Sequence, residues 1–494
     1  MRRSVAEAAA AMGATSVTAA GAVFEGVAID SRAVRGGELF FALPGERTDG
    51  HRYVRSALAA GAAAAVVERS TEAPAESVLI QVPDTFQALH DLTRAVRKQV
   101  PERLVAITGS AGKTTTKELL AAMLKRRFRV AKSPGNLNNL YGFPLALLNI
   151  PDDTEWMVAE MGMSTPGELR EISRLGRPEV AMLLNVRPAH LEFFGTLDAI
   201  AEAKAEILDG LQPGGIIVAN ANDRQVCRVV LRHLETTASR EVPCRVVWFG
   251  YPATVEPPVP QIETEADGAP PTRPTLDASV HEVEPLRGKR PGSRFRMRLG
   301  SRDVAVKLPL IGSHNIANAL AAAACAFALG VDVKDIAAVL GDVRPVAGRG
   351  EVHKLKLGAT LVDDSYNSNP EAAISALEGV AALSGKRRWA VLGEMRELGP
   401  ETERFHREVG GQAAEAGYSP IAGVGEEAKA LVAGAKAGGA AAKWFKDAAA
   451  AAKWAVGQVT EGDVVLVKGS RGVALEEVVS ALRQKDADEA GGKA

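Results

Sequence analysis

The sequence predicts an α/β protein of three successive domains: a small N-terminal α/β unit, a central unit on a parallel sheet, and a C-terminal Rossmann-like α/β unit. Three observations carry this. Short apolar runs alternate with helical stretches, the pattern of buried parallel strands joined by helical crossovers. The 494 residues exceed one core, since a domain takes roughly 150. A glycine-rich turn running into Lys113 and Thr114 lies between an apolar strand and a helix, which is the local arrangement that cradles phosphate.

In chain order, 27–29, 38–43 and 63–67 read as strands and 53–60 as a helix closed by Gly61, which places a first domain at 1–100. From Leu104 the chain reads strand, glycine turn, helix. Apolar runs at 157–159, 180–184 and 216–220 then alternate with helices at 197–211 and 313–329, giving a central domain at 101–343. Prolines crowd 251–292 with few apolar residues between them, so a mobile insertion is expected there. A hairpin is expected around Gly300-Ser301. A third domain, 344–485, has strand candidates at 359–362, 389–392, 421–424 and 464–467. The polar end, 486–494, is expected to fray.

Composition narrows the function classes. Lys and Arg number 59 against 60 Asp and Glu, a net charge of −1, so the footprint of a nucleic-acid binder is missing. Cys227, Cys244 and Cys325 are too scattered for a disulfide framework or zinc cluster, which points to the cytoplasm. The Ala-rich start is broken by Glu7 and reads as a helix, not a secretory signal. The longest apolar run, 319–329, is far short of the ~20 residues that span a bilayer.

The chemistry-bearing residues cluster at strand ends. In Thr108-Gly109-Ser110-Ala111-Gly112-Lys113-Thr114-Thr115, backbone N–H groups at the helix start suit phosphate oxygens, Lys113 suits the β- and γ-phosphates, and the Thr114 hydroxyl suits Mg²⁺. The two glycines stand closer together than in the common phosphate loop. Glu160 follows an apolar strand, where open parallel sheets bind ligands and where a carboxylate can hold Mg²⁺. His190 lies past another strand and reads equally as ligand or solvated loop residue. Lys204, on a helix, reads by itself as a solvated lysine. Asn315 and Asn318 share a helix face and suit an adenine edge or a capping role. Asn136, Asn138 and Asn139, and the polar run 363–370, are denser in polar groups than a turn requires, though an Asx-rich loop would look alike.

Together these segments resemble the Mur ligase family, ATP-dependent amide-bond ligases of peptidoglycan precursor synthesis, over nearly the whole chain. Residues 108–116 resemble its short phosphate loop, 159–162 its metal carboxylate segment, 185–195 its metal histidine segment, 312–319 its adenine-contacting helix start, and Gly348-Arg349 its hinge arginine. The resemblance implies ATP and one or two Mg²⁺ held by Thr114, Glu160, His190 and a Lys204 carbamylated by CO₂. It puts Arg349 on the transferring phosphoryl group and Asp364 with the nucleotide. Ser31, Arg32 and Asp49 are similar to a uridine-nucleotide site in the first domain. Segments 136–139, 189–195, 364–370 and 468–471 favour the branch that adds D-alanyl-D-alanine to UDP-N-acetylmuramoyl-tripeptide. They place Tyr366, Asn367, Ser470, Arg471 and the 136–139 asparagines beside substrate. An Asp-Asn-Pro-Arg signature of diaminopimelate-adding relatives is absent. A monomer in the cytoplasm, bound to no nucleic acid, is implied. A sister ligase adding another amino acid and a catalytically dead nucleotide-binding protein are the alternatives. Departures from the family pattern are the 251–292 insertion, Leu140, and 472–475.

Overall fold

In the computed structural model the described residues are 2–19, 21–45, 48–99, 103–188, 191–237, 243–252, 274–286 and 291–491. They build three main sheets. The first, in chain segments 16–17, 79–81, 64–67, 39–41 and 27–28, is parallel except at its 16–17 edge. Its strands Leu39–Phe41 and Ala64–Val67 are buried throughout, as a sheet covered on both faces requires. Helix Thr85–Gln99 carries this unit onto the central one. His90 is fully buried, with Nδ1 at 3.0 Å from Glu171 Oε1 and Nε2 at 2.8 Å from the Leu140 carbonyl. One apolar core runs continuously from Val5 through Leu39 and Leu89 to Ala106 and Ile200.

The central sheet has nine strands in the order 302–308, 292–299, 278–286, 245–250, 216–220, 180–183, 103–108, 156–160, 130–132. Strands 130–132 through 278–286 pair in parallel, and the last three pair antiparallel, so the expected parallel sheet is mixed. The chain starts at Arg103–Thr108, passes to the edge strand Val130–Lys132, returns through Trp156–Glu160 between the two, then crosses to Val180–Leu183 on the other side. That reversal puts a ligand crevice at the carboxyl ends of these strands. Helix Ser313–Ala328 packs on this sheet and on helix Lys113–Leu124 through an Ala-rich stretch buried from Ala319 to Ala326; small side chains let the helix sit close.

Two expectations are corrected. The 251–292 segment contains strand Ala278–Leu286, which pairs with Arg245–Gly250 and Gly292–Leu299. Ala278 and Val280 are buried in the core, and this short alternation was outweighed by the surrounding prolines. Residues 253–273 and 287–290 lie outside the described residues. The 486–494 end is helical to Gly491 as part of Glu476–Gly491, and the Asp486 carboxylate accepts from Leu357 N–H at 2.9 Å. This tether and the buried Val478, Val479 and Leu482 of the same helix outweigh the polar composition; 492–494 lie outside the described residues.

The C-terminal sheet runs 351–354, 360–364, 463–468, 387–393, 421–424, 442–445, parallel except for its 351–354 edge. It packs tightly on the central unit. Ile311 belongs to its core, and a Cβ on Gly379 would lie 2.9 Å from Gly312 Cα.

Candidate active site

Strand ends of the central and C-terminal sheets line one cavity of about 570 Å³. The phosphate loop, Glu160, Lys204 and Asn318 come from the central unit, and Arg349, Asp364 and Lys468 from the C-terminal one.

Helix Lys113–Leu124 begins after Gly112, which has φ +85° and no side chain to cap the first turn. Its leading N–H groups therefore suit an anion. A Cβ at Gly112 would lie 2.1 Å from Asn318 Oδ1, so this close approach requires glycine. Asn185 fixes the loop from the next strand. Its Oδ1 accepts from Ala111 N–H at 2.9 Å, its Nδ2 donates to the Ala111 carbonyl at 3.2 Å, and its carbonyl accepts from Ser110 N–H at 3.1 Å. Lys113 Nζ turns back to donate to the Gly109 carbonyl at 2.5 Å. Burial lowers its pKa; Glu160 opposes this and Arg349 adds to it.

Glu160 ends its strand 2 % exposed. Lys117 Nζ stands 2.9 Å from Glu160 Oε1 and donates to the Ser133 and Gly135 carbonyls at 2.8 and 3.1 Å. The ion pair misses hydrogen-bond geometry, so the buried Oε1 has no hydrogen bond. Thr114 and Glu160 both line the cavity. A hydroxyl and an under-used carboxylate beside a phosphate site are the hard oxygen donors that suit Mg²⁺. Lys204 is 3 % exposed, lines the same cavity, and has no carboxylate ion-paired to it among the described residues. Burial drives its pKa well below the usual lysine range; nearby Lys113 adds to this and Asp223 opposes it.

On the far wall, Arg349 lies between Gly348 and Gly350, at φ +69° and +74°, a backbone setting that glycine tolerates. The guanidinium carbons of Arg349 and Arg471 lie 4.3 and 4.8 Å from the Tyr366 ring centroid. Lys468 Nζ meets Asp364 Oδ2 at 2.8 Å and donates to the Asn367 carbonyl at 2.9 Å. The two residues are register partners at adjacent strand ends.

Family models cover all three units. The Mur ligase family catalytic domain matches 23–97, the Mur ligase middle domain 107–244, and the Mur ligase glutamate ligase domain 348–471. The UDP-N-acetylmuramoyl-tripeptide–D-alanyl-D-alanine ligase of Escherichia coli K12 is 36 % identical over 462 residues, 93 % of this chain and 94 % of that one. The chain belongs to the Mur ligase family. It is an ATP-dependent amide-bond-forming ligase. The Bacillus subtilis enzyme of the same name is 32 % identical, covering 93 % of each chain. Crystal structures of MurF from Acinetobacter baumannii and of MurF ligase from Thermotoga maritima in complex with ADP match with TM-scores of 0.83 and 0.76. Both are 29 % identical, covering 98 % and 94 % of this chain and 99 % and 98 % of theirs.

Within this Mur ligase the cavity gathers Ser110 to Thr115, Asn136, Asn138, Asn139, Asn315, Tyr366, Asn367, Ser470 and Arg471 with the residues above. Asn315 does not cap its helix: Nδ2 donates to the Ile311 carbonyl at 2.7 Å, and Oδ1 accepts from Asn318 Nδ2 at 3.2 Å. Asn139 Oδ1 accepts from Gly142 N–H at 2.8 Å, which fixes the helix start there. Ser31, Arg32 and Asp49 are not among the cavity's lining residues. Arg32 pairs with Asp30 at 2.7 Å. Asp49 accepts from His51 N–H and pairs with Arg69, and these contacts hold its carboxyl well below the usual range. His190 lies outside the described residues.

Sequence reasoning missed Lys117, Lys468 and His314 as site residues. Lys117 stands one helical turn past Lys113, a spacing that signals a shared face. Lys468 needed the register with Asp364 to be recognised. The His314 ring lines the cavity, and burial pulls its pKa to about 4 while Asp364 opposes and Lys468 reinforces this.

Proposed function

We propose that this ligase joins D-alanyl-D-alanine to UDP-N-acetylmuramoyl-tripeptide in the cytoplasm, as a monomer of three domains at 1–100, 101–343 and 344–485. The single observation that supports it best is one cavity holding the phosphate loop, Glu160, Lys204, Arg349 and Tyr366 together, alongside full-length relatives bearing that enzyme's name.

A carboxylate and an amine form a salt in water, so one needs a leaving group. The tripeptide carboxylate attacks the γ-phosphorus of ATP, giving an acyl phosphate and ADP. The amine of the dipeptide then attacks the acyl carbon, phosphate departs, and the amine loses a proton. This chain aligns charges more than it reacts. Lys113 leaves the Gly109 carbonyl for the phosphates. Arg349 swings from the Tyr366 face onto the transferring group, where a planar guanidinium suits phosphate oxygens. Asn315 and Asn318 take the adenine edge, with Asp364 nearby on the nucleotide side.

Thr114, Glu160, His190 and Lys204 would hold Mg²⁺, which when bound neutralises phosphate charge. An ammonium at Lys204 would repel that ion. Its lowered pKa supplies the neutral amine that can add CO₂, and the resulting carbamate is an anionic oxygen ligand. Ser31, Arg32 and Asp49 hold the uridine nucleotide, whose remote binding energy aligns the reacting end. Asn136, Asn138, Asn139, Asn367, Ser470 and Arg471 hold the peptide and the dipeptide. The test is phosphate release with the tripeptide substrate and D-alanyl-D-alanine, diaminopimelate or lysine. Release with the dipeptide alone supports the reading; release with a single amino acid alone overturns it in favour of a sister ligase.

A further inference from the structure

One buried ion network crosses the seam between the central and C-terminal units and has no place in the chemistry above. Arg187 Nη1 lies 2.9 Å from Asp223 Oδ2, and Arg187 Nε meets Glu371 Oε2. Asp223, 2 % exposed in its side chain, is fixed within the central unit by Val186 and Val226 N–H groups at 2.9 and 3.0 Å. Glu371 stands in the first turn of helix Pro370–Ala381, whose start Asn369 caps by accepting from Ala372 N–H at 2.9 Å. The preceding loop carries Tyr366 and Asn367 into the cavity. The other end of Arg187 grips the phosphate loop: its N–H donates to Ser110 Oγ at 2.9 Å, and Ser110 Oγ donates to its carbonyl at 3.2 Å.

We propose that Arg187 is a positioning residue that clamps the C-terminal unit against the phosphate-loop side of the cavity, with Glu371 as its moving partner and Asp223 as its fixed one. The inference rests on the ligase reading for its kinetic readout only. The asymmetry of the network carries it. A guanidinium between two buried carboxylates attracts both, and its fork can meet the two at once. One positive charge balances only one of them, and burial raises the Glu371 carboxyl to about 7, Arg187 opposing this and Asp223 adding to it. With Arg187 gone, burial and Asp223 push the Glu371 carboxyl further up from about 7, so it becomes neutral and unpaired in the desolvated seam and the cross-seam contact is lost. With Glu371 neutral, Arg187 keeps Asp223 and only the cross-seam contact is lost. Opening the seam withdraws Tyr366 and Asn367 from the acceptor side while the phosphate loop keeps its own nucleotide contacts.

The experiment uses the full chain in three forms besides the parent: Arg187→Ala, Glu371→Gln, and both together. Amine-dependent phosphate release, ADP affinity by calorimetry and radius of gyration by solution scattering are read for each. Arg187→Ala is expected to raise KM for D-alanyl-D-alanine about tenfold or more, as a broken buried pair does. ADP affinity is expected to hold within about threefold, and the radius of gyration to increase. Adding Glu371→Gln to Arg187→Ala is expected to change both little further, because the cross-seam pair is already lost, so the two effects are non-additive. Glu371→Gln alone, which keeps the side-chain shape, is expected to move the same readouts less. Unchanged amine KM and scattering in Arg187→Ala and Glu371→Gln overturn the clamp. So does a loss of ADP affinity as large as the rise in amine KM, which would place the effect in the loop alone. If the parent releases no phosphate with the dipeptide, the ligase reading fails, and the scattering comparison alone decides the clamp.

Discussion

Lys117→Met separates the charge of Lys117 from its bulk. The ammonium lies 2.9 Å from Glu160 Oε1, with both residues at most 2 % exposed. Two unit charges at that distance attract by about 6 kcal/mol at an effective dielectric of ~20. Desolvation offsets part of this, and breaking a buried pair while keeping one charge costs about 3–5 kcal/mol. Methionine fills nearly the same space, so little of the loss comes from a cavity. At about 2–4 °C per kcal/mol for a unit of this size, the melting midpoint should fall on the order of 10 °C. Thermal melts without ligand measure this directly. Repeating them with ADP and Mg²⁺ asks what Glu160 is for. A cation delivered there replaces the lost ammonium, so the ligand should raise the variant's midpoint more than the parent's. A second variant, Lys117→Met with Glu160→Gln, should melt above Lys117→Met. A Lys117→Met midpoint within about 2 °C of the parent, or no gain from adding Glu160→Gln, refutes the pairing argument.

Gly112→Ala should cost ADP affinity at least about tenfold, since positive φ alone costs about 1–2 kcal/mol and the new methyl meets Asn318 Oδ1; calorimetry checks it, and unchanged affinity contradicts the loop packing. Lys204 binds fewer protons folded than unfolded between its lowered native pKa and the ordinary 10.5, so the unmodified protein should gain stability as pH rises through that window. Bicarbonate should raise the midpoint at neutral pH and fail to do so in Lys204→Met. Arg349→Ala should lower kcat about 10³-fold, as phosphoryl-clamping arginines do, with ADP affinity changed far less; steady-state kinetics with nucleotide titration separate the two.

Legibility followed the range of the interaction. The phosphate loop was readable because strand, glycines, lysine and helix are contiguous, and Gly112 carries the positive φ that such a turn needs. Helix Ser313–Ala328 and strands such as Ile421–Val424 were readable from apolar patterning. Strand Ala278–Leu286 was not: proline density around it masked a short alternation, and its stability comes from neighbours on both edges. Partners distant in sequence were equally hidden. Asp364 was placed beside nucleotide without the Lys468 that neutralises it, about a hundred positions on and visible only through strand register. Lys204 read as a surface residue because nothing local shows that the cavity buries it.

Oxygen transfer from substrate to phosphate tests the central claim most directly. The tripeptide substrate is labelled with ¹⁸O in its reacting carboxylate and incubated with ATP, Mg²⁺ and D-alanyl-D-alanine, and the released phosphate and the product are weighed by mass spectrometry. A ligase working through an acyl phosphate must pass one carboxylate oxygen to each phosphate and yield the tripeptide substrate extended by the dipeptide. Unlabelled phosphate, or release of phosphate without that extended product, contradicts it.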